Sequence, residues 1–380
     1  MKILITSDLY KPLVNGVVTS VVNLKEGLEK DGHEVRILTL SGTHHSMKVG
    51  NVYYLGSIDG GIIYPNIRIL GSMGLSIMEE LIKWKPDVIH TQCEFSTFVP
   101  AKIISKRTGA PIVHTYHTVY EKYTEYLIPG KRLGRRLAAQ FTKSITSHTD
   151  AVIVPTDKME DMLLSYKVDT PMYVVPTGIK LERFLSDNEA KRKEIRSRYG
   201  IGEDECILTF VGRLAKEKNL EEIIEFMDDA RTADIRLMIV GDGPDREEIE
   251  KEVAKRHLEN RVIMTGMVNP SEVADYYKAG DIFVSASTSE TQGLTYMEAM
   301  ASGLVPLCRN DEALDDVIDN GRNGFVYDGK NEFMDALFIL TNDVLKRKEI
   351  AAAARQSILD KYSINTFTKD CEKIYSLYAA

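Results

Sequence analysis

Short apolar runs separated by helix-length segments recur along this chain in two successive sets, and that alternation restricts the fold more than any other feature. KILIT, EVRILTL and the runs at residues 52–55, 87–90, 111–114 and 151–154 read as strands, and residues 75–85, 98–108, 132–147 and 157–166 read as helices between them. Runs that are apolar throughout, rather than alternating, are buried on both faces. A parallel sheet covered by crossover helices follows. The rhythm pauses over the charged stretch NEAKRKEIRSRYG, which reads as a solvated helix, and then restarts with ECILTFVGRL, IRLMIVGDGPD, NRVIMTGMV, DIFVSAS, LVPLCR and GFVYD. The fold class is therefore α/β, two doubly wound sheets in succession facing each other across a cleft. The expected domains are residues 1–180, residues 181–362, and a last helix at 363–380 that returns to the first domain.

Length agrees, since 380 residues exceed one typical core and suit two domains of roughly 150–200 residues. With 43% hydrophobic and 27% charged residues the composition is that of a globular enzyme. No apolar run approaches the roughly 18 residues of a membrane span. MKILITSDLY lacks a secretory h-region, and the four cysteines are far apart without CxxC spacing, so a reducing cytoplasm without a thiolate metal site is expected. Residues 1–176 carry 20 Lys and Arg against 17 Asp and Glu, while the whole chain is at −8. A basic half on an acidic protein suits an anionic partner. Nucleic acid is not expected, because no zinc-finger, RRM or basic-helix pattern is present.

Ligands of such sheets sit beyond the carboxyl ends of the strands. Four stretches there carry chemistry. In SETQGLTYMEAMASG, Gly293 falls where a loop becomes a helix, so the amides of Gly293 and Leu294 face outward with the positive end of the helix dipole, a place that suits phosphate. Glu290 and Glu298 bracket that turn, either as acceptors for sugar hydroxyls or as ordinary complements to the dipole. In GRLAKEKNL, Arg213 and Lys218 offer a fork and a point charge that suit a diphosphate, or are solvated charges at a helix start. Asn15-Gly16 opens the first helix where backbone can approach a ligand, or is a simple turn. His117 lies just past a strand end in PIVHTYHTVY, whereas His114 is still within the strand and reads as core.

Between these, Tyr116, Tyr120, Tyr123 and Tyr126 precede PGKRLGRRLAAQFTKSI. On a helix from Arg132, Leu133, Leu137, Phe141 and Ile145 form an apolar stripe, and Arg132, Arg136 and Lys143 a basic one. Such a helix suits the headgroup region of an anionic bilayer. It equally suits packing on the domain core with its Arg residues in water.

Taken together, GRLAKEKN, VGDGPD, the Glu-x7-Glu of SETQGLTYMEA, MASG and the early PxxNGV resemble the retaining glycosyltransferases of family four, which have the GT-B architecture. The resemblance spans essentially the whole chain. It implies a nucleotide-sugar donor held mainly by the second domain, an acceptor held mainly by the first, and transfer with retention. Arg213 and Lys218 would grip the donor diphosphate, joined by Gly16 and the amides of Gly293 and Leu294. Glu298 would hold the ribose, Glu290 the transferred sugar, and His117 would stand near the reacting centre. Met267 would lie by the nucleobase. No metal or other cofactor is implied, since the two cations serve the leaving group.

One departure narrows the resemblance. Many members have Phe where this chain has Gln292, and ETQGLT with HTYHT is similar to the bacterial 1,2-diacylglycerol 3-glucosyltransferases. That branch implies UDP-glucose as donor, diacylglycerol as acceptor, and a protein peripheral on the inner face of the cell membrane, held through residues 131–146. Alternatives are a family-four enzyme with a soluble or polyprenyl-linked acceptor, a sugar-nucleotide epimerase, and an inactive sugar-nucleotide sensor.

Overall fold

A computed structural model describes residues 1–13, 15–60, 68–121, 131–186 and 188–379, apart from the Lys131 side chain. The chain forms two compact units, Met1–Gly178 with Ile364–Ala380, and Ile179–Ser363.

In the first unit, β1 (Lys2–Thr6), α1 (Gly16–Lys30), β2 (Glu34–Leu40), β3 (Met47–Val49) and β4 (Val52–Leu55) come first, then a small β5–β6 pair (Ser57–Asp59, Arg68–Leu70). The chain continues through α2 (Leu75–Trp84), β7 (Val88–Thr91), α3 (Phe98–Thr108), β8 (Ile112–Thr115), α4 (Lys131–Thr146), β9 (Ala151–Val154), α5 (Asp157–Ser165) and β10 (Met172–Val174). The strand order is β10-β9-β8-β7-β1-β2-β4-β3, parallel throughout except for β3 on β4. Because β1 lies between β2 and β7, the winding reverses there, and the carboxyl ends of β1 and β7 flank a crevice.

Full burial of β7, β8 and β9 explains why those runs are apolar or capped by short polar residues. Asn15 caps α1 by accepting the Val18 N–H at 2.9 Å. The last helix, Ile364–Tyr378, packs on α1 within this unit, burying Phe367, Cys371, Ile374 and Tyr375 with Leu24 and Leu28. Gly27 is needed at that contact, because a Cβ there would lie 2.0 Å from Thr368 Oγ1.

The second unit begins with α6 (Leu181–Leu185) and α7 (Glu189–Arg198), followed by β11 (Ile207–Val211), α8 (Leu220–Met227), β12 (Arg236–Val240), α9 (Arg246–Lys255) and β13 (Val262–Gly266). Then come α10 (Val273–Ala279), β14 (Ile282–Ser285), α11 (Leu294–Ala301), β15 (Val305–Arg309), β16 (Phe325–Tyr327), α12 (Lys330–Asn342) and α13 (Val344–Lys361), so the helix returning to the first unit is α14 (Ile364–Tyr378). Its parallel sheet runs β13-β12-β11-β14-β15-β16, and the winding reverses between β11 and β14.

One expectation is corrected. The charged segment does not form a wholly solvated helix: Arg196 of α7 is buried, and its guanidinium donates to the carbonyls of Ala279 (2.8 Å) and Gly202 (2.5 Å). Hydropathy cannot register a charge whose task is to satisfy loop carbonyls. The short strands β3, β5 and β6 were not expected, since MKV, SID and RIL are too brief and too exposed to show a period. Among the described residues no helix is long and apolar enough to cross a membrane.

Candidate active site

The loops that leave β11 and β14 stand side by side at the reversal of the second sheet, and backbone bonds fix the first of them. Gly212 N–H donates to Val240 O, Leu214 N–H to Asp242 O and Asp245 N–H to Leu214 O, at 3.0 to 3.1 Å. The VGDGPD turn is thus the buttress of the GRLAKEKN loop. A Cβ on Gly243 would lie 2.2 Å from Leu214 O, so only glycine permits this approach. A short 3-10 turn, Lys216–Lys218, then aims Lys218 across to the second loop.

There, Lys218 Nζ donates to Glu290 Oε1 at 2.6 Å, with both side chains largely shielded from water. Ser287 Oγ and Ser289 Oγ donate to Glu217 O at 3.3 and 3.5 Å, lacing the loops together. Arg213 leans out beside them, half exposed, and bonds to Glu217. Next to this group Gly293 starts α11 in the left-handed region (φ 75°), and among the described residues no acceptor takes the N–H of Gly293 or Leu294. Gln292 is buried and its amide reaches Met297 Sδ at 3.6 Å.

Glu298 lies one turn into α11. Tyr277 O–H donates to its Oε2 at 3.1 Å and Arg183 Nη2 to its Oε1 at 3.4 Å. Burial raises its carboxyl above the ordinary carboxylate range, and Arg183 and Tyr277 offset part of that. Met267 is 80% exposed just past Gly266, and among the described residues no hydrogen bond joins it to the Lys218 group. Sequence reasoning missed Arg183 and Tyr277, which lie on α6 and α10 and come to Glu298 only through folding.

A second cluster occupies the reversal of the first sheet. His117 Nε2 is 2.6 Å from Gln92 Oε1, and burial lowers the pKa of its imidazole to about 4. His114 lies within β8, fully buried, with Nδ1 2.7 Å from Thr91 Oγ1. Its Nε2 and Glu94 Oε1 face each other at 3.4 Å, neither with a hydrogen-bond partner, while Tyr120 O–H donates to Glu94 Oε2 at 2.5 Å. Asp8 accepts from Ser96 N–H, Thr97 N–H and Thr97 O–H at 2.6 to 2.9 Å, and burial still holds its carboxyl above the usual range. Gly16 sits at the start of α1, exposed. Asp8, Gln92 and Glu94 were missed by sequence reading. The available signal was their place directly after β1 and β7, at a parallel-sheet crevice.

The basic segment takes a definite orientation. α4 buries Gly134, Ala138, Thr142 and Thr146, a face of small residues, while Leu133 and Leu137 are 52% and 41% exposed. Its Phe141 ring stacks on Phe95 (centroids 5.4 Å apart), beside α3, where Val99 and Ile103 are also exposed. Neither α3 nor α4 contains an acidic residue. Tyr123 and Tyr126 lie outside the described residues.

Residues 14–183 match the family model described as Glycosyltransferase Family 4, and residues 191–357 the model described as Glycosyl transferases group 1. The alpha-monoglucosyldiacylglycerol synthase of Streptococcus pneumoniae is 34% identical, over 98% of this chain and 89% of its own length. That of Acholeplasma laidlawii is 32% identical, over 99% and 96%. The crystal structure of the Anabaena protein HepE in complex with UDP-glucose superposes with a TM-score of 0.77 at 16% identity, covering 99% of this chain and 100% of that one. Two consecutive family matches, near full-length identity to the two synthases and two parallel sheets built around like reversals lead to one conclusion: the chain belongs to the family four glycosyltransferases, with the GT-B fold.

Proposed function

We propose that this glycosyltransferase moves glucose from UDP-glucose to the 3-hydroxyl of 1,2-diacylglycerol, with retention, at the anionic inner face of the cell membrane. The observation that carries the donor half is the Lys218–Glu290 pair at 2.6 Å, set beside Arg213 and the unengaged amides that open α11. A departing nucleoside diphosphate gains negative charge as the glycosyl bond breaks, and fixed positive groups at that place lower the barrier. In this reading Arg213, Lys218, Gly16 and the amides of Gly293 and Leu294 hold the diphosphate. Glu290 receives hydroxyls of the sugar, Glu298 those of the ribose, and Met267 lies along the base. His117 stands by the sugar.

The bond from the anomeric carbon to the diphosphate oxygen breaks, and the acceptor oxygen bonds to the same face of that carbon. The acceptor proton passes to a donor phosphate oxygen. UDP and the glycolipid are the products, and no divalent cation is needed because Arg213 and Lys218 carry the compensating charge. EDTA should therefore leave the rate unchanged.

For the acceptor half, support comes from α4, whose exposed Leu133 and Leu137 lie among Arg132, Arg135 and Arg136, and from the adjoining exposed row Phe95, Val99 and Ile103. Exposed apolar side chains among cations, of which Arg135 is paired with Glu121 at 3.2 Å, suit an anionic bilayer holding a lipid alcohol. The names of the two synthases point to the same acceptor. Incubation with diacylglycerol vesicles and UDP-glucose, UDP-galactose, UDP-N-acetylglucosamine or GDP-mannose, followed by NMR of the product, tests the whole assignment. An α-glucosyl linkage to the 3-hydroxyl is expected. A β linkage would overturn retention, product only from a soluble or polyprenyl alcohol the acceptor, and conversion of the donor without acceptor the transferase.

A further inference from the structure

In the first unit a hydrogen-bonded chain runs through the buried core from the last helix to His117. Tyr375 OH is 2.6 Å from His90 Nδ1, Gln92 Nε2 is 3.0 Å from His90 Nε2, and Gln92 Oε1 is 2.6 Å from His117 Nε2. Thr115 Oγ1 also lies 2.6 Å from His90 Nε2. His90 and Tyr375 are fully buried and Gln92 almost so. We propose that Gln92 is a positioning residue that fixes His117 as the tautomer protonated on Nε2, so that Nδ1 is the ring atom left to accept a hydrogen from a ligand hydroxyl, and that Tyr375 sets this through His90.

The direction of each bond follows from what each atom can do. An amide oxygen only accepts, so the hydrogen between Gln92 and His117 belongs to His117 Nε2. The amide nitrogen only donates, so His90 Nε2 presents its lone pair, also to the Thr115 hydroxyl. His90 must then carry its proton on Nδ1 and donate it to Tyr375. The Tyr375 hydroxyl is left to donate onward to the Cys371 sulfur beside it. In this direction every donor in the chain meets an acceptor. Both imidazoles are held neutral: burial, the largest influence, lowers His90 well below its ordinary value and His117 to about 4. Among facing groups, His114 lowers both rings, His117 lowers His90 further, and Glu94 opposes the shift at His117. Among the described residues His117 makes no other side-chain hydrogen bond, so its Nδ1 is free of an internal donor.

The chemical consequence is specific. A neutral His117 with a bare Nδ1 receives a hydroxyl hydrogen and cannot donate to a phosphate or carbonyl oxygen. That the hydroxyl belongs to a sugar or a lipid alcohol rests on the transferase reading; the tautomer does not. Ring-15N histidine NMR on the full chain at pH 7, assigned with His117→Gln, reads it without donor or acceptor. A pyrrole-type Nε2 and a pyridine-type Nδ1 are expected at His117. Gln92→Leu should populate both tautomers. Gln92→Glu keeps an oxygen facing Nε2 and adds a charge, so it should retain the tautomer while moving the protonation of His117 upward by about one to three pH units. Tyr375→Phe should mix the tautomers of His90 and His117 alike. Wild-type protein protonated on Nδ1, or Gln92→Leu leaving His117 wholly on Nε2, would overturn the role of Gln92. An unchanged His117 spectrum in Tyr375→Phe would overturn the relay. A chain that proved not to transfer sugar would leave each of these results standing.

Discussion

In the proposed donor site Lys218 contributes an ammonium that is already paired with Glu290, largely shielded from water and held by the 3-10 turn before it, so little reorganisation would be needed for phosphate to bind. Lys218→Ala removes that charge where it is worth most, and initial rates of glycolipid formation should fall about 10²–10³-fold, the range for losing one preorganised group in a dry site. His117 makes a separate prediction about pH. Its folded pKa near 4 lies below the ordinary 6.5, so between those values the unfolded chain binds a proton that the folded chain refuses. Stability therefore rises with pH across that window and is lost as pH falls below about 6.5. The effect should reach about 1–2 kcal/mol at pH 5. His90 acts in the same direction. Asp8 and Glu298, whose carboxyls are raised, act oppositely: their contribution is present in acid and fades as pH rises through the carboxylate range. The useful comparison is thus between proteins, and Tm should drop less from pH 7 to pH 5 in His117→Gln than in wild type. At this scale Arg213, Lys218 and Glu290 were legible because they lie within short motifs after strands. Gln92, Glu94 and Asp8 were not, since TQCE and SDLY carry no spacing of their own and gain meaning only when β1 and β7 become neighbours.

Elements place these groups by close approach as much as by helix or strand propensity. The turn after β12 supports the loop after β11 only because Gly241 and Gly243 lack side chains. Gly243→Ala should shift that loop, cost about 1–3 kcal/mol by thermal denaturation and weaken UDP binding by calorimetry. Gly329→Ala, where a Cβ meets nothing within 4 Å, is the control and should do neither. For α4 the apolar stripe was visible in the sequence and its direction was not. A helix with Leu on one side and Gly134, Ala138, Thr142 and Thr146 on another is ambiguous until a partner is present. The small face is the buried one, because it lets α4 lie close to the sheet and brings Thr142 within 2.7 Å of the Tyr116 hydroxyl. Each basic residue near an anionic surface contributes about 1 kcal/mol. Charge reversal at both Arg132 and Arg136 should therefore lower partition onto anionic vesicles by at least roughly thirtyfold in co-sedimentation. Leu133→Ser with Leu137→Ser should weaken it at high salt as well, where the charges are screened. Unchanged partition in both variants would remove α4 from the membrane.

The alternation that runs twice along the chain reports two sheets directly, because a parallel strand buried on both faces is apolar throughout. The returning last helix was expected from the sequence, but no strand pattern conveys how much of the first unit's core it supplies. α14 follows the second unit yet contributes Phe367, Cys371, Ile374 and Tyr375 to the core around β1 and α1. Burying one such side chain is worth about 1.5–3 kcal/mol. Four of them together approach the entire 5–15 kcal/mol that holds a domain folded. A chain ending at Ser363 should consequently lose the first unit while keeping the second, whose own cores include no residue beyond Tyr362. Limited proteolysis read by mass spectrometry should show cleavage throughout residues 1–178, with a resistant fragment covering most of 179–363. Calorimetry should retain one transition and lose the other. The point variant Gly27→Leu, which sets a side chain against Thr368 without removing any residue, should weaken the same unit in the same direction. If residues 1–178 stayed protected in the shortened chain, α14 would be an accessory rather than part of that core. The Tyr375 end of the chain leading to His117 would then have no structural reason to be buried.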